Sequence, residues 1–145
     1  MFMARVIGTV WATGSTVQTT LEAAERLSRE GVDLTVVNAR FVKPLDRELL
    51  ASQLAGGGRI ATVEEHVVAG GFGSAVMEAV AELELRGVEV LPIGVPDRFV
   101  PHGSQELLRK AFGLDAEGIY FRLRRFFAAG AGRATAQDIT VQANN

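Results

Sequence analysis

The chain has 145 residues, 48% hydrophobic and 22% charged, a balance that suits one globular domain with a real core. A net charge of -2 argues against nucleic acid or an anionic membrane as the main partner, and no apolar run approaches the ~20 residues of a membrane span. Cysteine is absent, which excludes disulfides, thiolate nucleophiles and cysteine zinc sites. The N-terminus lacks a secretory pattern, so a cytoplasmic location is expected. His66 and His102 are the two histidines, too few for a histidine-rich metal site.

In chain order, Val6 to Ala12 reads as a short apolar strand that ends at the turn Thr13-Gly14-Ser15. Ser15 or Thr16 is placed to cap a first helix. Val17, Leu21, Ala24 and Leu27 recur there at helical spacing, with Glu22, Glu25, Arg26 and Arg29 on the wet side. Gly31 ends the helix, and the β-branched run Val32 to Ala39 predicts a buried strand. Pro44 suits the first position of a second, short helix, with Asp46 in its first turn and Leu49, Leu50 and Leu54 on its apolar side.

Gly56-Gly-Gly58 stops that helix, and Arg59 to Glu64 is the third predicted strand. A glycine-rich turn leads into a third helix, with Ala75, Val76, Ala79, Val80 and Leu83 on one face and its end near Gly87. Val88 to Val95 is the fourth strand. Pro92 has no amide to give a ladder, so this strand belongs at an edge or a bulge. Pro96 to Gly103 is a loop, and Ser104 is placed to cap a helix from Gln105 to Phe112. In the last helix Ile119, Leu123, Phe126 and Phe127 form the apolar stripe, with Arg122, Arg124 and Arg125 opposite. From Ala128 to Asn145 no helical or strand period remains, which predicts a disordered tail. Alternating strands and helices argue for a three-layer α/β/α sandwich with a mostly parallel sheet of four or five strands.

The stretch from Thr62 to Val76 holds the candidate functional residues, because open α/β sheets gather function at the carboxyl ends of their strands. It carries Glu64, Glu65 and His66, then Gly70, Gly71, Phe72, Gly73 and Ser74. A phosphate loop would need Lys after its glycines, and Gly71-Phe-Gly73-Ser-Ala-Val76 fails the dinucleotide fingerprint at its third glycine. A tight strand-to-helix turn, with Ser74 or Gly73 before it capping the helix, is the simpler reading, and an anion at the Ser74 helix start is the alternative. Adjacent Glu64 and Glu65 point to opposite faces of a strand and do not act together on one substrate; both are expected to cap backbone amides or to pair with arginine across an interface. The chemical alternative is an acid/base pair of one carboxylate with His66. His102, between Pro101 and Gly103, reads as a loop hydrogen-bond former rather than a ligand, and Arg40, Lys43 and Asp46 as a solvated loop with local ion pairs, with anion binding as the alternative.

Three segments carry a resemblance. Val36-Val-Asn-Ala-Arg-Phe-Val-Lys-Pro-Leu-Asp46 is one. Val63-Glu-Glu-His66 with Gly70-Gly-Phe-Gly-Ser-Ala75 is the second. Gly94-Val-Pro-Asp-Arg-Phe99 with His102-Gly103 is the third. Together, and extended by Leu114-Asp-Ala-Glu-Gly-Ile119, they resemble the C-terminal domain of the 1-deoxy-D-xylulose-5-phosphate synthase family in the thiamine-diphosphate transketolase superfamily. The similarity runs from about Ala12 to Phe127, so residues 1–127 are expected to form a transketolase C-terminal-like domain and 128–145 its tail.

The resemblance implies a five-stranded mixed sheet with one antiparallel strand. Four strands are plain in the sequence, which leaves the fifth around Phe99 or within Val88 to Val95. It also implies an enzyme that decarboxylates pyruvate on thiamine diphosphate and joins the two-carbon unit to glyceraldehyde 3-phosphate. In that family the cofactor and its Mg²⁺ sit between two other domains, whose G-D-G…N motif and activating Glu this chain lacks. The third domain supports the dimer. No catalytic, cofactor-binding or metal residue is therefore carried over. Glu64 to His66 and Gly70 to Ser74 are candidates for an interface or anion loop, with a homodimer partner or the missing synthase domains as what they meet.

Two other readings stand beside it. One is a stand-alone binding module of the same fold, and the other is the C-terminal domain of a 2-oxoacid dehydrogenase β subunit. Met1 to Trp11 does not resemble the family's approach to this domain, so a truncated product, a split subunit or a fragment is expected.

Overall fold

A computed structural model describes residues 6–39, 44–96 and 104–128. Four strands pair in the order β2-β1-β3-β4: β1 is Val6–Ala12, β2 Asp33–Asn38, β3 Gly58–Val67 and β4 Val88–Val95. Every pairing is parallel, from Thr9 opposite Thr35 and Ile60 in the centre to Thr62 opposite Pro92 at the edge. The fold class is as expected, but the five-stranded mixed sheet is corrected to four parallel strands among the described residues. Val88–Val95 is one continuous strand with no room for a second, and the alternative location around Phe99 lies outside the described residues. Among the described residues β4 is an edge strand, as Pro92 predicts, since its missing amide costs nothing where no neighbour accepts.

Helix α1 (Thr16–Arg29) links β1 to β2, α2 (Arg47–Leu54) links β2 to β3, and α3 (Phe72–Glu82) links β3 to β4. Crossovers between parallel strands are right-handed, so the leftward step through α1 and the rightward steps through α2 and α3 put these helices on opposite faces. The core divides accordingly. On one face Val10, Ala12, Ala61, Val63 and Ile93 meet Ala23 and Leu27 of α1 and Ile119 and Leu123 of α5 (Ala116–Leu123). On the other, Trp11 and Ile60 meet Leu50 and Leu54 of α2 and Phe72, Val76 and Ala79 of α3. The period-two alternation of β1 and β3 supplies both faces at once.

Several local expectations shift. Ser15 precedes α1 but makes no side-chain cap; the Thr16 hydroxyl instead lies 2.6 Å from the Thr13 carbonyl and 3.1 Å from that of Val63. Leu21 is exposed, and the inward stripe is Thr16, Thr20, Ala23, Ala24 and Leu27, small enough for the helix to lie close on the sheet. Pro44 lies ahead of α2 rather than inside it, because Asp46 is the N-cap and accepts the Leu49 amide at 3.0 Å. Ser104 caps α4 (Gln105–Ala111) as expected, its hydroxyl accepting the Leu107 amide at 3.2 Å. Asp115 does the same for α5 through the Gly118 amide.

The last helix widens into a π-turn at Arg124–Ala128, where the adjacent Phe126 and Phe127 are both buried, edge to face at 4.9 Å. Arg59 of β3 reaches across to donate to the Phe126 carbonyl at 2.8 Å. Tyr120, absent from the predicted stripe, is buried beneath Arg26, whose guanidinium stacks 3.7 Å above the ring. Its hydroxyl lies 2.6 Å and 2.8 Å from the two Glu30 oxygens, a bond that, with burial, raises the phenol's pKa above 10.0. Among the described residues no helix is long and apolar enough to cross a membrane. The predicted tail falls outside the described residues from 129 onward.

Candidate functional site

β1 and β3 are neighbours whose chains leave toward opposite faces, the arrangement that opens a crevice beyond the carboxyl ends of an α/β sheet. An open cleft of about 720 Å³ lies there, lined by Thr13 from the end of β1, Glu64, His66 and Val67 from β3, Gly70 and Gly71 from the turn, and Glu78 from α3. The candidate stretch therefore borders the position in the fold where topology favours a site.

β3 runs to Val67, three residues beyond the predicted end, and carries Glu64, Glu65 and His66 as strand residues. The two glutamates part as strand geometry requires. Glu64 is 1% exposed and turns toward α3; one oxygen accepts the Phe72 amide at 3.0 Å and the other the Gly73 amide at 2.7 Å. Glu65 turns outward to Arg109 of α4, with an N–O distance of 2.6 Å. His66 is exposed, and no hydrogen bond joins it to either carboxylate among the described residues. The acid/base alternative has no geometry among the described residues; Glu64 caps amides, and the arginine that Glu65 meets belongs to this chain rather than to a partner across an interface.

The helix start is corrected. α3 begins at Phe72 behind an extended Gly71 N-cap, two residues before Ser74. Ser74 is helical, and its hydroxyl accepts the Gly70 amide at 3.1 Å while donating to the Val68 carbonyl at 2.7 Å, which closes the turn on itself. A helix N-terminus attracts anions through its unpaired amides and its dipole. At α3 that anion is internal: the Glu64 carboxylate occupies the place a phosphate would take. Gly70 holds the turn at φ +74, a conformation that strains any other common residue. Gly71, Gly73 and Gly94 crowd the carboxylate so closely that an added Cβ at Gly73 would lie 3.1 Å from Glu64 Oε2 and one at Gly94 2.9 Å from Glu64 Cγ.

Sequence reasoning misses Arg109, since nothing local marks a cation on α4 as the partner of a β3 carboxylate. It misses Glu78 and Thr13 as well; both become cleft residues only once β1, β3 and α3 converge. His102, Arg40 and Lys43 lie outside the described residues. No group of three metal-ligating side chains occurs among the described residues.

Residues 9–119 match the family model for the transketolase C-terminal domain. The chain belongs to that family. Similar to this transketolase C-terminal domain in sequence is 1-deoxy-D-xylulose-5-phosphate synthase 1 of Geobacter metallireducens, 55% identical over 119 residues that cover 82% of this chain and 19% of that protein. The synthase of Heliobacterium modesticaldum is 49% identical over 129 residues, 88% of this chain and 20% of the other. The chain thus spans about a fifth of the length of these curated relatives. A solved structure described as a split gene transketolase, inactive beta4 tetramer, superposes with a TM-score of 0.74 at 36% identity, over 83% of this chain and 39% of the other. A transketolase mutant from Pichia stipitis, at 22% identity and a TM-score of 0.65 over 90% of this chain and 18% of its own, shares the fold.

Proposed function

We propose that this transketolase C-terminal domain is the C-terminal part of a 1-deoxy-D-xylulose-5-phosphate synthase and serves assembly rather than chemistry. One observation carries the reading: 55% identity extends over 82% of the chain yet falls within 19% of the synthase's length, the footprint of one domain of several. The complete enzyme in this reading is a cytoplasmic transferase that condenses pyruvate with glyceraldehyde 3-phosphate, feeding isoprenoid and thiamine synthesis.

Thiamine diphosphate and Mg²⁺ would supply the carbanion chemistry there, from sites on the remaining domains. The residues present do not fit that group. A diphosphate needs free amides or cations, but the first amides of α3 are held by Glu64, and among the described residues the cleft is lined by Glu64 and Glu78 with no lysine or arginine. No catalytic step is assigned to this chain. Glu65, His66, Gly70, Gly71 and Ser74 are read as docking surface, for the remaining synthase domains or a second copy, whereas Glu64, Phe72 and Gly73 are buried beneath it. The tetrameric state of the split-gene neighbour supports self-association of such chains.

The test is reconstitution. The chain is mixed with separately expressed remaining domains of a relative such as the Geobacter synthase. Product formation from pyruvate and glyceraldehyde 3-phosphate is followed alongside size-exclusion chromatography. Co-elution with restored turnover is expected; absence of both overturns the reading.

A further inference from the structure

We infer that Glu64 is a latch, a positioning residue whose carboxylate sets the conformation of the turn from Val68 to Gly73 and so presents the exposed part of that turn to the remaining synthase domains. The carboxylate is buried at 1% exposure, bridges two consecutive amides of α3, and enters no ion pair among the described residues. Charged groups of this kind are costly to bury unless their bonding is complete. Here the compensation comes from the helix start itself, through charge-assisted bonds and the dipole.

The surroundings leave the carboxylate one place. Gly71 and Gly73 lie on its α3 side. Gly94 of β4 lies against its stem, where a Cβ would sit 2.9 Å from Glu64 Cγ and 2.7 Å from Val68 Cγ2. The register of β3 against β4 shifts between Val63 and Val67, which frees Glu64 from the ladder's regular spacing at the point where it must reach α3. Ser74 then ties the far side of the turn, through Gly70 and Val68. Three separated segments thus meet at a single side chain, whose release would free the turn while leaving the sheet core untouched.

The docking consequence rests on the assembly reading above; the latch itself does not. Glu64→Gln keeps the volume but offers one acceptor oxygen where two amides need one each. Gly94→Ala keeps the charge but pushes the side chain aside. Amide hydrogen exchange is measured for the full chain in both variants, with the Val10, Ala61 and Val63 amides of the sheet as internal reference. Exchange at Phe72 and Gly73 is expected to rise roughly 10- to 100-fold, the loss of a bond to a charged acceptor, with the reference amides unchanged. Binding of the remaining synthase domains is measured in parallel and is expected to weaken at least about tenfold. Faster exchange with unchanged binding keeps the turn mobile on release but overturns its role in docking. Unchanged exchange at Phe72 and Gly73 in both variants overturns the latch, whatever the binding. If Glu64→Gln fails to fold, Glu64→Asp takes its place, because it keeps the charge but shortens the reach to the Phe72 and Gly73 amides, whereas Gly94→Ala also crowds Val68 in the turn itself.

Discussion

Gln53→Leu isolates one half-buried hydrogen bond on the α2 face. Trp11 is the sole tryptophan, 1% exposed on central strand β1, and its indole N–H donates to Gln53 Oε1 at 2.8 Å across to α2. Leucine keeps the apolar bulk of position 53 and removes the acceptor, which leaves the indole N–H buried without a partner. That costs about 1–3 kcal/mol, more than the bond's net contribution, because the orphaned donor loses water as well. At roughly 2–4 °C per kcal/mol for a chain near this size, Tm should fall by about 2–12 °C. Trp11 fluorescence follows the unfolding directly. The control is Trp11→Phe, which removes the donor, with unfolding followed by circular dichroism. In that background Gln53→Leu should cost almost nothing, so the double-mutant cycle returns a coupling of about 1–3 kcal/mol. A Gln53→Leu effect below about 0.3 kcal/mol in both backgrounds would refute the bond as a fastening of α2 to the sheet.

Two further outcomes follow from the α1 face. The Tyr120 hydroxyl is neutral while it bonds Glu30, and its folded pKa is raised by that bond and by burial above the unfolded 10.0. The neutral form is thus favoured by folding, so this contribution is full below about pH 10 and is lost as pH rises through the higher folded value. Urea midpoints should fall more steeply above pH 10 in the wild type than in Tyr120→Phe; parallel slopes would refute the assignment. Gly8→Ala places a methyl group against the Phe127 ring and beside the Arg59 carbonyl at 3.1 Å. Overpacking of this kind should destabilise by about 1–3 kcal/mol, and Phe127→Leu should return part of it; additive losses in the denaturation midpoints would count against a shared contact.

The alternation of apolar runs with amphipathic ones makes the α/β architecture legible in the chain itself. Pro92 marks an edge strand, and β4 is one. The stripe Ile119, Leu123, Phe126 and Phe127 is readable because each residue needs only local helical geometry and an apolar side chain to belong to the core. The parting of Glu64 from Glu65 is readable for the same kind of reason, since adjacent residues on a strand face opposite ways.

Tertiary structure decided where those side chains end. A strand pattern says that Glu64 turns from Glu65, but not that α3 begins at Phe72 and aims two amides at it, because a helix start moves by two residues according to what satisfies its first amides. Arg109 and Glu65 are brought together by the path of α4, a long-range contact with no local signature. Among the described residues, pairing gives four parallel strands where the resemblance suggested five, and pairing depends on neighbours distant in sequence. Sequence alone determined the class of fold and the family, because periodicity and motif wording are local properties of the chain. The inward carboxylate, the filled helix N-terminus and the crevice beside it exist only where three elements converge, and that convergence belongs to the packed structure.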